Sequence, residues 1–390
     1  MSSLPSPGPG LRALLVLCAL AVVSLLYLPL PVLPQLAQAY GLSPASAAAS
    51  VSAFGLAYAA GFLLFGPLSD RLGRRPLMAA ALVALSLLTA ALSWAPSGTW
   101  LLGLRAAQGL TAAAFPPTVI AYLSERGTPR QRVWSVAWLS TAFLSAGLAG
   151  QIYGVAMAEN ARLKQAWLPL ALLFALTAWR LRVASADPAR GIPASPWHGA
   201  WRALGARLAC PALRRVYGPA SVLLLCFVAF YLGLDGHAGA LLHTHGLTPL
   251  MTRALAWPAL LTPLVVAAVL PRWGAQRLVT AGLLLATAGL AACAAAVAGH
   301  PYALLAASLV FVAGIGVSVP SLIARIAGLT APEGRGLALA FYTFVLFVGA
   351  SLGPWVAHLT ASWTAAQAFL LLALLTMAAA LYAASGRTPA

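Results

Sequence analysis

Gly66-Pro67-Leu68-Ser69-Asp70-Arg71-Leu72-Gly73-Arg74-Arg75 packs four charges into its last six residues, between two stretches that are almost purely apolar. A charged turn with a glycine at its centre, joining two hydrophobic helices, belongs where lipid meets water. There the ions stay hydrated while the flanking segments do not. Composition agrees. Of the 390 residues 62% are hydrophobic and 7% charged, and the mean hydropathy is +0.90, whereas a soluble chain carries about 25% charged residues. Crossing a hydrocarbon core of ~30 Å takes about 20 apolar residues as a helix. The runs here are long and unbroken, unlike the short alternating strands of a barrel. The expected class is an all-α integral membrane protein.

Outward from that turn, twelve apolar runs are expected: Ala13–Pro34, Ala45–Leu68, Pro76–Trp94, Thr99–Leu123, Val133–Ala156, Gln165–Leu181, Val216–Leu242, Thr248–Leu270, Leu278–Ala298, Pro301–Leu322, Gly336–His358 and Ser362–Ala384. They divide into an N-terminal six-helix bundle (1–183), an inter-bundle loop (184–215) and a C-terminal six-helix bundle (216–390). Arg12, the first run and Ala37-Gln38-Ala39 imitate a secretory signal, but the run is long for one and is interrupted by Pro29, Pro31 and Pro34. It reads as a retained first span.

Placing both termini in the cytoplasm puts nineteen of the 23 Lys and Arg on the inner side, leaving Arg162, Lys164 and Arg253 outside and Arg105 within a run. Shifting the count by one helix inverts the ratio, so the positive-inside rule selects this orientation. The net charge of +17 therefore reflects topology; scattered in short connectors, these residues form no face for nucleic acid. Trp197, Trp201, Leu204 and Leu208 recur at helical spacing in the loop, as in an amphipathic helix on the inner leaflet; a loosely ordered linker is the alternative. The halves echo each other. Pro271-Arg272-Trp273-Gly274-Ala275-Gln276-Arg277 is a worn copy of the opening turn that keeps the glycine and loses the acid.

The pattern G-x-L-x-D-R-x-G-R-R resembles the loop between helices 2 and 3 of the major facilitator superfamily of secondary transporters. Arg105-Ala106-Ala107-Gln108-Gly109 resembles the R-x-x-Q-G motif of its proton-coupled members. In length, helix count and inner loop the whole chain is similar to bacterial drug:proton antiporter and arabinose-efflux-type permeases. The resemblance implies a cytoplasmic latch formed by Gly66, Asp70, Arg71, Gly73, Arg74 and Arg75, with Asp70 packed against the N-terminal end of the eleventh run. Glu125 is the expected partner of Arg71 or Arg74. A carboxylate so placed gains ~0.3–1 kcal/mol from the helix dipole. The alternative is that these charges only anchor topology. One departure stands out: the fifth run has Ser145-Ala146-Gly147-Leu148-Ala149-Gly150-Gln151 without the proline of the antiporter pattern, and Gly353-Pro354 appears in the eleventh run instead.

Within the runs, polar groups are few. Arg105 costs ~2.5–3.5 kcal/mol to insert; it either snorkels outward or faces inward, with Gln108 nearby, as a proton-coupling or anion-contacting group. Asp235 is the carboxylate inside the seventh run, among Gly233, Gly236 and Gly239. A helix break there is expected, with Asp235 carrying a proton beside His237 or, alternatively, capping the broken end. Tyr27, Gln151 and Tyr153 are further cavity groups or packed side chains, and Gly109, Gly147, Gly150, Gly353 and Pro354 mark close packing or bends. Pro116-Pro117 and Pro320 are expected bends. His243-Thr244-His245 does not place two ligands on one helix face, so no metal is expected, and the four cysteines show no C-x-x-C spacing.

The sole lysine, Lys164, excludes a nucleotide-binding G-x-x-x-x-G-K-S/T loop. Six acidic residues without clustered His or Cys leave a membrane enzyme almost no acid–base pairs. The expected function is secondary transport by alternating access, exporting a small organic solute in exchange for protons across a bacterial inner membrane. No cofactor is expected, and the protein is expected to act as a monomer whose partners are solute, protons and lipid. A facilitator or a symporting importer is the alternative, with a channel or an enzyme behind it.

Overall fold

The structure, a computed structural model, describes residues 6–159, 163–183, 210–297, 301–331 and 334–385. They are almost entirely helical. In chain order the helices are α1 (Pro9–Tyr27), α2 (Leu33–Tyr40), α3 (Pro44–Leu72), α4 (Arg74–Ala91), α5 (Gly98–Ala112), α6 (Phe115–Ser124), α7 (Pro129–Glu159) and α8 (Trp167–Val183). Then follow α9 (Pro211–Thr244), α10 (Pro249–Leu255), α11 (Trp257–Leu260), α12 (Thr262–Trp273), α13 (Ala275–Ala296), α14 (Pro301–Leu329), α15 (Arg335–Leu359) and α16 (Ala365–Ala384). Local chemistry sets many of the starts. Proline opens α1, α3, α7, α9, α10 and α14, where its missing N–H costs nothing. Ser43, Ser97, Thr248 and Thr364 accept from the backbone of the first turn, the last as a full capping box with Gln367.

Among the described residues ten helical stretches are long and apolar enough to span a membrane, or eleven if the pair Pro249–Leu255 and Trp257–Trp273, bent by 50°, counts as one. The remaining expected run, Thr99–Leu123, is present as α5 and α6, each too short alone. Its ladder is interrupted at Ala113–Ala114 because Pro116 and Pro117 offer no N–H to the carbonyls one turn back.

Four expectations about helix form need correction. The first apolar stretch does not end at Pro34 but continues to Tyr40, crossing the prolines through one 3-10 turn, Leu30–Val32. The seventh helix begins at Pro211 rather than Val216, and it is not broken at its glycines; α9 runs unbroken for 34 residues. In lipid a broken turn leaves backbone groups without water, so a helix keeps its ladder where the sequence permits, and glycine permits it at a cost of ~1 kcal/mol. The interruption falls in the eighth run instead, around Pro258 and Pro263, where N–H donors are missing. Pro320 lies inside an unbroken α14.

Two compact units emerge. One comprises the described residues of Met1–Ser135, Ala142–Trp201 and Pro332–Phe341; the other comprises those of Val136–Thr141, Arg202–Ala331 and Tyr342–Ala390. In the first, α3 packs on α5 and α4 on α8; in the second, α13 packs on α14 and α16, and α9 on α16. The amphipathic segment expected around Trp197–Leu208 lies outside the described residues.

The internal repeat is visible bond by bond. Arg75, at the start of α4, donates to the carbonyls closing α8: Nε to Leu181 and Nη2 to Arg182 at 2.8 Å. Gln276, at the start of α13, donates Nε2 to the Ala383 carbonyl at the end of α16 at 2.6 Å. Gly73 (φ 87°, ψ 150°) and Gly274 (φ 76°, ψ 152°) make the same hairpin turn between helices. Only glycine holds this backbone conformation without strain; other residues pay ~1–3 kcal/mol. Gly73→Ala and Gly274→Ala are each expected to lower the thermal unfolding midpoint in detergent by several degrees, against a small rise for Gly236→Ala, whose Cβ meets open space inside a helix.

Candidate functional site

The charged turn is built around the end of α3 and the start of α4. Asp70 lies in the last turn of α3, Gly73 reverses the chain, and Arg74 opens α4, so Asp70 and Arg74 face each other across the turn. Arg74 is buried and its two terminal nitrogens bridge both carboxylates: Nη1 donates to Asp70 Oδ1 and to Ser69 Oγ at 3.0 Å, and Nη2 to Glu125 Oε1 at 3.4 Å. Glu125, 8% exposed, closes α6. The other Asp70 oxygen, Oδ2, accepts from the backbone N–H of Leu337 at 3.1 Å. Leu337 is in the first turn of α15, so the carboxylate completes an N-terminal donor that the helix cannot satisfy itself.

Small residues allow this approach. A Cβ on Gly336 would lie 2.5 Å from Asp70 Oδ1, 2.6 Å from Arg74 Nη1 and 2.7 Å from Ser69 Oγ; one on Gly66 would lie 2.5 Å from Ala340 Cβ. Ser69 and Gly336 were not expected as members. Gly336 could have been found as the first small residue of the eleventh run, whereas Ser69 looks like any helical serine. Arg71 is half-buried beside the cluster, and Arg75 caps α8.

A second polar cluster lies inside the same unit. Arg105, 1% exposed, does not snorkel. Its Nη1 donates to Gln108 Oε1 at 2.5 Å, its Nη2 to the Leu25 carbonyl at 3.0 Å and its Nε to the Ser50 carbonyl at 3.4 Å. Its guanidinium carbon lies 4.4 Å from the Phe54 ring centroid and 5.6 Å from that of Trp167. Gln108, fully buried, passes the chain on to Thr89 Oγ1 at 2.8 Å. Trp167 Nε1 donates to Tyr40 Oη at 3.1 Å, and Tyr40 donates to the Leu92 carbonyl at 2.8 Å. The charge is thus held by carbonyl dipoles, an amide and aromatic faces. Through Arg105 it ties α5 to α1 and α3.

The third cluster belongs to the other unit. Asp235 Oδ2 accepts from Arg253 Nη2 at 2.5 Å, and the Arg253 guanidinium carbon lies 5.6 Å from the Tyr231 ring centroid. The charge rule counts Arg253 on the outer side, and nothing in its own neighbourhood signals a partner eighteen residues away. His237 lies on a different face of α9 from Asp235, and His245 bonds its own helix at the Leu241 carbonyl.

Other expected residues are dispersed. Gln151 donates to the Gly147 carbonyl at 2.9 Å, and the Tyr27 ring would lie 3.9 Å from a Cβ on Gly147. Tyr153 donates to the Ala166 carbonyl at 2.8 Å, as a bridge to the next segment. Gly109 and Gly150 admit the backbones of Phe54 and Ser24, and Gly353 admits Val228, while Pro354 lies exposed inside α15.

Long apolar helices, a twofold repeat of hairpin turns and an ionic cluster at a helix N-terminus define a polytopic all-α membrane protein. The profile of the Major Facilitator Superfamily matches residues 15–254, and the chain belongs to that family. Over 133 residues it is 35% identical to the inner membrane transport protein YnfM of Escherichia coli, covering 34% of this chain and 32% of that protein. Over 183 residues it is 34% identical to a gallate transporter of Pseudomonas putida, covering 45% and 40%. The matched stretches span about a third of the length of the first of these relatives. Among solved structures, the E. coli fucose:proton symporter FucP superposes with TM-score 0.76 at 15% identity, covering 97% of this chain and 98% of that one. The proton:xylose symporter XylE gives 0.72 at 15%, covering 95% and 94%. These likenesses show the fold.

Proposed function

We propose that this transporter exports a small organic solute in exchange for protons by alternating access, as a monomer in a bacterial inner membrane with both termini cytoplasmic. In this reading the segments 1–183 and 216–390 are two six-helix bundles joined by the loop 184–215, and they alternate between inward-open and outward-open forms. The observation that carries it is the ionic cluster at the start of α15. Asp70 meets Leu337 through one charge-assisted bond, and Arg74 and Glu125 keep the carboxylate in place. A closure made by a few polar contacts can part and reform, because water replaces each bond when the contact opens. Arg105 and Gln108 stiffen the helices around the pathway, and Asp235 is the titratable group that carries the coupling proton.

A symporting importer is the second reading. It is favoured by relatives named as carriers of gallate and of niacin, and by the symporters whose fold this chain shares. A multi-drug efflux pump homolog of Lactococcus lactis, 30% identical over 153 residues, points the other way. Proteoliposomes with an imposed pH gradient and a panel of amines and aromatic acids discriminate the two. Solute moving against the proton flux is expected; solute moving with it establishes the importer, and no saturable flux removes both.

A further inference from the structure

Tyr231 and Asp235 are four residues apart on α9, so ring and carboxylate share one helix face. Phe227 extends that face by another turn, its ring centroid 5.1 Å from that of Tyr231. What fills the face is a cation. The guanidinium of Arg253 bonds Asp235 at 2.5 Å and lies 5.6 Å from the Tyr231 ring centroid. A carboxylate beside an aromatic ring is the combination that recognises organic cations, through charge and through the ring quadrupole. The two partners are mounted differently. Asp235 and Tyr231 sit on an unbroken helix of 34 residues, whereas Arg253 sits on the seven-residue α10, joined to the next segment at a 50° bend.

We propose that the Tyr231–Asp235 face is a binding site for a small organic cation, and that Arg253 is a built-in occupant which the cation displaces. This inference rests on the proton-exchange reading above and gives it a substrate class. Proton and organic cation both need the Asp235 carboxylate, so each excludes the other, which is the condition for exchange. Side-chain exposures of 28% for Asp235 and 22% for Arg253 leave the pair within reach of solutes. Because α9 is about 51 Å long at 1.5 Å per residue and exceeds a ~30 Å hydrocarbon core, Asp235, nine residues from its end, lies near the boundary rather than deep in lipid. The charged and titratable groups around the pair are Arg253 on α10, Tyr231 and His243 on α9, and Cys293 on α13; His237 lies on another face of α9.

The test is equilibrium binding of radiolabelled tetraphenylphosphonium to the purified full chain in lipid nanodiscs, with benzoate as the anionic counterpart. Arg253→Ala removes the internal competitor and is expected to tighten tetraphenylphosphonium binding roughly fivefold, the value of a partly exposed ion pair. Tightened binding should weaken as pH falls. Asp235→Asn is expected to abolish binding, and Tyr231→Leu to weaken it severalfold while Tyr231→Phe retains it. A gain of affinity cannot come from misfolding, so Arg253→Ala guards the test against a damaged fold. Unchanged or weaker cation binding in Arg253→Ala, or benzoate binding that depends on Arg253, overturns the proposal. If the binding pattern holds and no proton counterflow accompanies tetraphenylphosphonium in proteoliposomes, the site stands and the exchange reading falls. If proton exchange persists in Asp235→Asn, the exchange reading stands and the site falls.

Discussion

Asp70→Asn is expected to reduce transport by roughly tenfold or more while the protein still inserts and folds. The substitution keeps the size of the side chain and removes its charge. Asp70 then no longer pairs with the buried Arg74, and its bond from the Leu337 N–H weakens from charge-assisted to neutral. Hydrogen bonds to a charged group contribute ~1.5–3 kcal/mol, against ~0.5–1.5 for neutral ones, and a shift of 1.4 kcal/mol in the balance between closed and open forms changes their ratio about tenfold. Arg74 keeps Glu125 and Ser69, so the fold around the turn survives. Gly336→Val should do the same by wedging a side chain into the space held by Asp70, Arg74 and Ser69. Initial-rate flux in proteoliposomes at matched protein content checks both.

Arg105→Ala is expected to act first on the fold. Removing a guanidinium that is 1% exposed strips partners from the Leu25 and Ser50 carbonyls and from Gln108, and leaves a void beside Phe54 and Trp167. Unsatisfied buried polar groups cost ~1–3 kcal/mol each, so a loss of about 3–5 kcal/mol is expected, which is large for one substitution. Arg105→Lys should recover only part, since an ammonium lacks the planar fork that reaches three acceptors on three helices. Size-exclusion thermostability in detergent separates the two variants. An Arg105→Ala protein that melts like the wild type yet does not transport would mean that Arg105 acts on a ligand or proton instead.

How far these features could be read from the chain itself depended on whether the deciding physics was local. The turn at Gly73 was legible because four ions between apolar runs have one place to go. Its expected counterpart at Gly274 adopts the same backbone because the turn needs a residue free of Cβ strain. The ions of the latch could be listed from resemblance; that Arg74 reaches Glu125 depends on which face of α4 meets α6. The buried position of Arg105 was one of two expected poses, and only packing chooses between them. Helix breaks were misplaced for a reason. Three glycines around Asp235 weaken a helix but leave every N–H in place, whereas Pro258 and Pro263 remove donors on neighbouring turns; a single proline, Pro219 in α9 or Pro320 in α14, does not stop a helix. The Asp235–Arg253 pair is not legible in the sequence because Arg253 lies eighteen residues away on another helix, and the charge rule, which counts it among three outer exceptions, says nothing of its partner.

The central claim is that the Asp70 carboxylate holds the start of α15 and that its release opens this end of the protein. The most direct test places spin labels at Leu72→Cys, exposed at the end of α3, and Ala331→Cys, exposed just before α15, with the four native cysteines replaced. Distance distributions are then compared by double electron–electron resonance in lipid, with and without Asp70→Asn. The account predicts a shift of population toward longer distances in the Asp70→Asn protein. Superimposable distributions would contradict it.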